Sequence, residues 1–406
     1  MSECPYDPFS PEVQADWGPT YARLRAECPV PHFDGFGDQG FWSAARYDDV
    51  RALNIDIDTW TARDGSGPNH RDDPGPLNQD LPHRAPFRRL LTSGINTARA
   101  EQLELAMVAE TRSLLDEVDV GLGFDLMMDF AVPLTSAMMA TLMGISPEHD
   151  ARPMWRGWAE VFMTSMQSED PAEFTRATVE MYAFFQRELA ARREAIERGD
   201  EAADTDPVDF LTQLAVARRD GEYFEIADIA NVAGAVFIGA QGTTASMIGN
   251  LGFRLLERRD RWEDVLAHRD LVPLAVEESL RFDPPVLGTF RSANEDVVLG
   301  DTTIPAGGKV MSLFGSANRD EDRFRDGESF DIHRDPTQFR QHLTFGIGSH
   351  LCPGAPLGRM LGRVALNELL DRFPDLELAG SPGPHIQPFF VWGFSSVPVA
   401  AGAEAR

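Results

Sequence analysis

The sequence predicts a mainly α-helical protein with a small β-rich part. Most of the chain has apolar side chains at helical spacing, whereas β-like patterns occur in residues 286–310 and 385–399, and residues 41–45 and those around Val30 could pair as short strands. The composition, 43% hydrophobic and 25% charged, is that of an ordinary globular protein. Because no internal repeat or low-complexity segment divides the chain, we expect residues 1–406 to form one domain.

Several segments have the spacing and end signals of helices or strands. We predict helices over residues 11–26, over 97–118 with Thr97 as the N-cap, and over 124–143, where Gly144 ends the segment. Residues 385–399 are expected to form a hairpin near the C terminus.

A long central helix is predicted over about residues 225–258, a span of roughly 50 Å at 1.5 Å per residue. Its middle is apolar nearly all round, which predicts that it is buried. Gly239 and Gly242 lie in that middle, and each glycine weakens a helix by roughly 1 kcal/mol. A buried helix that keeps both is expected to bend or to lie against something flat.

A long irregular segment over residues 58–82 is rich in Gly, Pro, Asn and Asp. A loop of this length inside a globular domain usually has a function, often as a cover over a binding site. A disordered linker is the alternative interpretation.

Charge and cysteine content narrow the possible partners and compartment. The formal net charge is -28, so nucleic acid is excluded as an expected partner, because duplex binding needs a basic face. Lys309 is the only lysine of the chain. Three cysteines argue against a disulfide framework and for a reducing cytoplasm. The N terminus lacks the pattern of a signal peptide and no apolar run is long enough to span a membrane, so we expect a cytoplasmic protein that does not enter membranes.

The segment from Phe345 to Gly354 carries the strongest chemical signal. Its glycines allow the backbone to pass close to a bulky planar group. Cys352 lies just before a predicted helix, where free N–H groups favour a thiolate that binds a soft metal. A lone cysteine in such a loop is more often a buried structural residue, so the interpretation depends on the surrounding residues.

Those residues resemble the haem-binding loop of the cytochrome P450 family, Phe-Gly-x-Gly-x-His-x-Cys-x-Gly, at every fixed position. The resemblance implies the cytochrome P450 fold and a haem b whose iron is bound by Cys352. Glu278 and Arg281 match the family's Glu-x-x-Arg pattern, and Arg334 lies in a segment that matches its meander. These three side chains are expected to form a buried ion-pair network that holds the haem loop.

The resemblance also implies which side chains contact the haem. Arg88, Arg291 and His350 match partners of the haem propionates, and Phe345 and Gly354 belong to the haem loop. The family often has a His where this chain has Arg84. Arg84 is expected to serve the same propionate, with His83 as the alternative after a shift of one residue.

The central helix departs from the family pattern in a way that matters for chemistry. Thr243 matches the family's alcohol position, but Gly242 stands where an acid is usual. We therefore expect Thr243 to position the proton-donating group, with Gln241, Thr244 or a chain of water molecules as its connection to solvent. The alternative is that Thr243 only bonds its own helix carbonyl.

The resemblance, position by position, places a substrate pocket beside the central helix, with residues 61–82 as one wall. An apolar lining predicts a small apolar substrate. The further expected wall residues are Phe162, Ala235, Ile238, Gly239, Val286, Leu287, Phe389 and Phe390.

Together these features predict a haem-thiolate monooxygenase that hydroxylates or oxidatively O-dealkylates its substrate. Electrons are expected from a separate ferredoxin and an NAD(P)H-dependent ferredoxin reductase, docked near Cys352 where Arg359 and Arg363 offer positive charge. The alternatives are a peroxide-driven peroxygenase and a non-catalytic haem protein that binds gases. No Arg lies between Ala233 and Arg254 on the central helix, which argues against the first, and the absence of a signalling or DNA-binding appendage argues against the second.

Overall fold

Helices carry most of the chain in the computed structural model, which describes residues 6–37, 39–68, 75–118, 122–145, 152–164, 172–199, 209–387 and 389–401. The helices, numbered along the chain, are α1 Pro11–Ala15, α2 Gly18–Glu27, α3 Tyr47–Ile55, α4 Ala85–Gly94, α5 Thr97–Glu117, α6 Val132–Leu142, α7 Arg152–Thr164, α8 Ala172–Glu197, α9 Phe210–Val216, α10 Ile226–Leu256, α11 Arg259–Ala267, α12 Val272–Phe282, α13 Phe314–Ala317, α14 Pro336–Phe339 and α15 Ala355–Arg372. A π-helical turn covers Leu126–Ala131, and 3-10 turns cover Arg269–Leu271 and Gly348–His350.

The strands are short and lie in small sheets. They are β1 His32–Phe33, β2 Phe41–Ala44, β3 Trp60–Thr61, β4 Phe124–Asp125, β5 Arg218–Arg219, β6 Glu222–Tyr223, β7 Gly288–Ala293, β8 Val297–Leu299, β9 Thr302–Ile304, β10 Lys309–Leu313, β11 Leu376–Leu378, β12 His385–Gln387, β13 Val391–Phe394 and β14 Pro398–Ala401. The largest sheet has the order β1-β2-β10-β7-β3, in which only β2 and β10 pair in parallel. The mainly helical fold with a small β-rich part is thus confirmed.

The central helix α10 organises the helical core. It packs against α6, α8, α12, α15 and strand β13. The packing is close, since a Cβ on Gly249 would lie 2.0 Å from the sulfur of Met127. By length and composition α10 could cross a membrane, but 61% of its most apolar window is buried inside the protein, as expected of a core helix.

Helix α10 is continuous, since it is α-helical from Ile226 to Leu256 without interruption. A Cβ added to Gly239 would meet no atom within 4 Å. This glycine therefore leaves open space on one face of an unbroken helix, and that face lines the cavity described below.

Three predicted elements differ from the structure for local reasons. The first helix is divided in two, because Asp16 is extended and its carboxylate accepts a hydrogen bond from the Gly18 N–H at 3.0 Å. Asn96, and not Thr97, caps α5 by accepting from the Arg99 N–H at 3.0 Å. The predicted helix from 124 begins instead with strand β4, because β14 pairs with it and Asp125 caps the following turn.

The remaining expectations are met in part. The segment 58–82 includes strand β3, which pairs with β7, and residues 69–74 lie outside the described part. At the C terminus β12 and β13 form the expected hairpin, but β14 leaves it to pair with β11 and β4. Cys28 is disulfide-bonded, which the low cysteine count did not predict, whereas Cys352 is free.

A buried ion-pair network joins α12 to the irregular segment before α14. Glu278 and Arg281 have no solvent exposure, and two Arg281 nitrogens donate to the two Glu278 oxygens at 2.7 Å each. Arg334 donates to Glu278 at 3.2 Å, and the Asp331 N–H donates to it at 2.7 Å. Arg281 also donates to the carbonyl oxygen of Asn318 at 2.8 Å, which links a further segment of the chain to this network.

This network predicts the effect of removing its only acid. Glu278→Ala leaves Arg281 and Arg334 buried without their partner, and such a loss destabilises a protein by roughly 3–5 kcal/mol. We expect that decrease in the free energy of unfolding, measured by urea denaturation. Glu173→Ala is the matched control, because Glu173 forms an ion pair of the same i, i+3 spacing on the surface, where about 0–1 kcal/mol is expected. Equal losses in the two variants would contradict this account.

Candidate active site

A cavity of about 390 Å³ lies between helix α10 and the loop that precedes α15. Gly239, Thr243 and Thr244 face it from α10. Cys352 and Gly354 face it from the loop. The sequence-predicted alcohol and the sequence-predicted thiol are therefore on the wall of the same cavity.

The loop from Phe345 to Gly354 is shaped by its glycines. Gly346 and Gly348 have φ values of +70° and +71°, a region that side chains disfavour. A Cβ on Gly348 would also lie 2.8 Å from the carbonyl oxygen of Asn54. The Cys352 N–H then donates to the Phe345 carbonyl at 2.8 Å and closes the loop. Helix α15 begins at Ala355, so the thiol lies next to its first turn.

The Cys352 thiol is in an environment with opposing effects. Burial raises its pKa, whereas the N–H groups of Gly354 and Ala355 and the charge of Arg88 lower it. We expected a lowered pKa from the helix N terminus alone, but desolvation outweighs that effect. A buried thiol that meets backbone N–H donors is suited to coordinate a soft metal, because a coordinated thiol is deprotonated by the metal charge itself.

Positive charge is concentrated at one end of the cavity. Burial and the charge of Arg84 lower the pKa of Arg291 to about 10. Burial and the charges of Arg291, Arg84 and Arg88 lower the pKa of His350 to about 3. The pKa values of Arg84 and Arg88 are lowered as well, by burial first, and Asp80 offsets the effect on Arg84 and Arg291 only in part.

These cations have hydrogen-bonding capacity to spare. Arg84 donates to the Ser349 carbonyl at 2.8 Å, Arg291 donates to Asn54 Oδ1 at 3.0 Å, and Arg88 donates to the Leu351 carbonyl. The Nε of Arg84 is buried without a partner in the described structure. An anionic group at this end of the cavity would balance the charge, and the carboxylates of a haem fit that requirement.

The structure favours one of the two sequence alternatives for the first propionate partner. Arg84 is buried and lines the cavity, whereas His83 is exposed and is not on its wall. The residue that occupies the family's usual His position therefore also faces the site.

The side chains around the missing acid of α10 point in different directions. The Thr243 hydroxyl donates to the Gly239 carbonyl of its own helix at 2.7 Å, as in the alternative interpretation. Gln241 is 1% exposed and is not on the cavity wall, and its amide atoms have no partner in the described structure. Thr244 is buried at the cavity wall. Of the candidate connections, only Thr244 is placed beside Thr243 at the cavity.

Of the expected wall residues, Ala235, Gly239 and Val286 line the cavity. Phe162 is not on its wall, and its ring packs against Phe174 at 5.4 Å and Phe237 at 6.2 Å. Ile238 is not on the wall either, and it packs against the helical core.

The C-terminal part of the expected pocket lies elsewhere in the fold. Leu287, Phe389 and Phe390 belong to a separate apolar cluster beneath the N-terminal helices. Phe389 packs against Phe9, with ring centroids 4.6 Å apart, and Leu287 meets Gly315. Val286 faces the cavity, whereas the next residue, Leu287, does not.

Sequence reasoning missed several apolar wall residues. They come from helix α4 and the residue after it, from α6 and from α10, namely Leu91, Ile95, Met138, Met139, Leu142 and Met247. The run of methionines in α6 was the available signal, since methionine adapts to irregular spaces.

A second carboxylate holds the cysteine loop from outside. Glu277 accepts from His342 at 3.0 Å and from Arg359, whose guanidinium lies 4.5 Å above the Phe345 ring. Burial alone would raise the pKa of Glu277, but the hydrogen bonds from His342 and Arg359 outweigh it and set the pKa at about 2. Arg359 is thus engaged within the fold, which weakens its expected role as a docking charge.

Comparison with known proteins agrees with this geometry. A family model described as Cytochrome P450 matches residues 254–398. Cytochrome P450 107B1 of Saccharopolyspora erythraea is 34% identical over 401 residues, covering 94% of both chains. Cytochrome P450 monooxygenase PikC of Streptomyces venezuelae is 33% identical over 387 residues, covering 92% of this chain and 87% of PikC.

A solved structure shows the same fold over nearly the whole chain. Cytochrome P450 CYP109Q5 from Chondromyces apiculatus superposes with a TM-score of 0.83 at 31% identity, covering 97% of each chain. The Cys352 thiol, the unbalanced cations and the cavity that they line fit the haem b that this family binds. The chain therefore belongs to the cytochrome P450 family and is a haem-containing monooxygenase of that class.

Proposed function

We propose that the protein inserts one oxygen atom from O2 into a small apolar organic substrate, by hydroxylation or by oxidative O-dealkylation. The observation that carries this proposal is the partly buried Cys352 thiol on the wall of a mostly apolar cavity that Thr243 faces from α10. When bound, the haem supplies dioxygen activation and oxygen transfer. The chain's own residues hold the haem, bind the substrate and deliver protons.

In this proposal Cys352 would bind the haem iron, within a loop that includes Phe345 and Gly354. A thiolate in that role would supply the electron density that is associated with cytochrome P450 chemistry. Arg84, Arg88, Arg291 and His350 would hold the propionates. Glu278, Arg281 and Arg334 hold the surrounding chain in place.

The substrate class follows from the cavity wall. Leu91, Ile95, Met138, Met139 and Val286 offer apolar surface, and the charged residues are gathered where the propionates would lie. An apolar compound loses no hydrogen bonds when it moves from water to this apolar wall. A small apolar molecule is therefore the substrate class that the site supports best.

Proton delivery is assigned to Thr243. Its hydroxyl donates to Gly239, and its oxygen retains lone pairs that can accept a hydrogen bond from water in the cavity. Gly242 supplies no carboxylate, and Gln241 does not face the cavity. Thr244 and water are the remaining connections that we propose.

Electrons are proposed to come from a ferredoxin and an NAD(P)H-dependent ferredoxin reductase in the cytoplasm. The docking surface is placed beside the Cys352 loop. Arg359 pairs with Glu277, so Arg363 is the better candidate for a positive contact.

The first test of the proposed function asks which source of electrons supports product formation. A panel of small apolar compounds is screened for the low-spin to high-spin shift of the ferric protein, and each hit is incubated with NAD(P)H, ferredoxin and reductase or with hydrogen peroxide. We expect oxygenated product with the electron donors. Product with peroxide alone would favour the peroxygenase alternative, for which Gly242 is the motivating feature. No product under either condition would favour a gas-binding protein.

The ligand assignment is tested by Cys352→His. Because the thiolate is proposed to bind the iron, the reduced CO complex of the wild type should show the red-shifted Soret band of the family. The variant should lose that band even where some haem stays bound. Ser349→Ala, in the same loop, is the control and should keep the band. Its persistence in Cys352→His would rule out Cys352 as the ligand.

Proton delivery is tested by Thr243→Ala. We expect substrate binding to persist, while less product forms per NAD(P)H consumed and more hydrogen peroxide is released. A general acid contributes about 10²–10⁴-fold, and partial replacement by water places this effect at or below the lower end. Gly242→Asp should not improve coupling, because an apolar surrounding disfavours a charged carboxylate.

Thr178→Ala is the matched control, since the Thr178 hydroxyl donates to the Phe174 carbonyl of its own helix at 2.8 Å and Thr178 is not on the cavity wall. It should leave coupling unchanged. Unchanged coupling in Thr243→Ala would mean that protons reach the cavity by another route.

A further inference from the structure

The only lysine of the chain, Lys309, is buried in the main sheet. It lies on β10, between β2 and β7, and is 3% exposed. A buried ammonium group is costly unless it is hydrogen-bonded, so its partners indicate what it holds. None of the haem or cavity roles assigned above uses this residue.

The Lys309 ammonium binds one turn of the chain. Its Nζ donates to the carbonyl oxygens of Asp64 at 3.0 Å, Gly65 at 3.2 Å and Gly67 at 2.8 Å. An ammonium has three donors and no acceptor, which suits a group of carbonyl oxygens from one turn. We call residues 64–67 the anchored turn.

The anchored turn begins the segment that follows β3. Lys309 lies opposite Ser292 on β7, and Ser292 lies opposite Thr61 on β3, so these three residues form one row across the sheet. The Thr61 hydroxyl donates to Asp80 at the other end of the segment. The start of the segment is thus fixed to the sheet by the ammonium, and its two ends are tied together by Thr61 and Asp80.

The anchored turn reaches the cavity through Ser66. Ser66 lines the cavity, and its carbonyl accepts from the Phe290 N–H at 3.0 Å. Thr289 and Arg291, on either side of Phe290, also line the cavity. The position of Ser66 therefore affects the wall of the cavity directly.

Local bonds alone hold this turn weakly. Within it the Gly65 N–H donates to the Ala62 carbonyl at 3.0 Å, and Gly65 has a φ of +92°. A Cβ on Gly67 would meet nothing within 4 Å, so packing does not confine that position. The ammonium is thus a major constraint on the conformation of the turn.

We propose that Lys309 is a positioning residue that fixes the anchored turn and thereby sets the size of the ligands that the cavity binds well. This inference deepens the proposed function, because it takes the cavity as the substrate site. Without the ammonium, the turn would have to be ordered when a ligand binds, and that ordering lowers affinity.

The test compares two iron-binding probes of different size, imidazole and 4-phenylimidazole, titrated by the shift of the Soret band in the haem-loaded protein. Lys309→Met keeps the length of the side chain and removes the ammonium. We expect its Kd for 4-phenylimidazole to rise about tenfold, the scale of a misfit in an apolar pocket. Imidazole reaches the iron without filling the cavity, so its Kd should change by no more than about twofold, as for a remote substitution.

Hydrogen exchange of the Phe290 amide supplies a second readout that does not depend on the haem. In Lys309→Met this amide should exchange faster, because its acceptor Ser66 is no longer held. Leu376→Ala is the control for lost stability, since Leu376 is fully buried on β11 in the other sheet. It should lower the melting temperature without changing the ratio of the two Kd values.

Lys309→Arg keeps the positive charge, and it replaces Lys309→Met in the test if too little of that variant is produced. Its planar guanidinium does not fit the three carbonyls as a point charge does, so it should raise the ratio of the two Kd values in the same direction. Equal weakening of both probes, or an unchanged ratio with unchanged Phe290 exchange, would overturn the proposal. A wild type that shows no Soret shift with imidazole would instead count against the proposed function, while the exchange of Phe290 would still report on the turn.

Discussion

Two neighbouring carboxylates on α12 hold the chain around the thiol. Glu278 is fully buried and binds Arg281 and Arg334, while Glu277 points the other way to His342 and Arg359. A buried carboxylate is stable only with its partners, so each one fixes the segments that supply them. Arg281 also binds the Asn318 carbonyl, and Asn318 binds Leu343 and Thr344 just before the cysteine loop. The position of the loop therefore depends on these two acids.

The charges on the cavity wall indicate which kind of group the cavity binds. Arg84 and Arg291 are buried and His350 is partly buried, and the charge of Arg84 lowers the pKa of both Arg291 and His350, while Asp80 offsets the effect on the two arginines only in part. Such an arrangement is costly in an isolated protein and favourable when an anionic group is bound. The Cys352 thiol on the same cavity wall adds a soft ligand for a metal. A planar metal complex with carboxylates satisfies both requirements at once, which is why haem fits this site.

The central helix α10 packs closely against its neighbours along one part and borders the cavity along another. Gly249 and Gly252 allow Met127 and Leu126 to approach its backbone, whereas Gly239 leaves space at the cavity. Because the helix is unbroken, the Thr243 hydroxyl can donate a hydrogen bond to the Gly239 carbonyl of the same helix. The chemistry at this position must therefore use the remaining lone pairs of Thr243, with Thr244 and water, because residue 242 carries no side chain.

Features that depend on a few neighbouring residues could be predicted from the sequence. The glycines around Cys352 and the three-residue spacing of Glu278 and Arg281 are local patterns, so their resemblance to the family's motifs was sufficient to predict the loop and the ion pair. Cavity walls are assembled from distant segments, and a shift of one residue reverses the direction of a side chain in an extended segment. Val286 therefore faces the cavity while Leu287 does not, and Met139 was missed. Only the tertiary structure brought Lys309 to residues 64–67, because the carbonyl oxygens that bind it are common to every sequence.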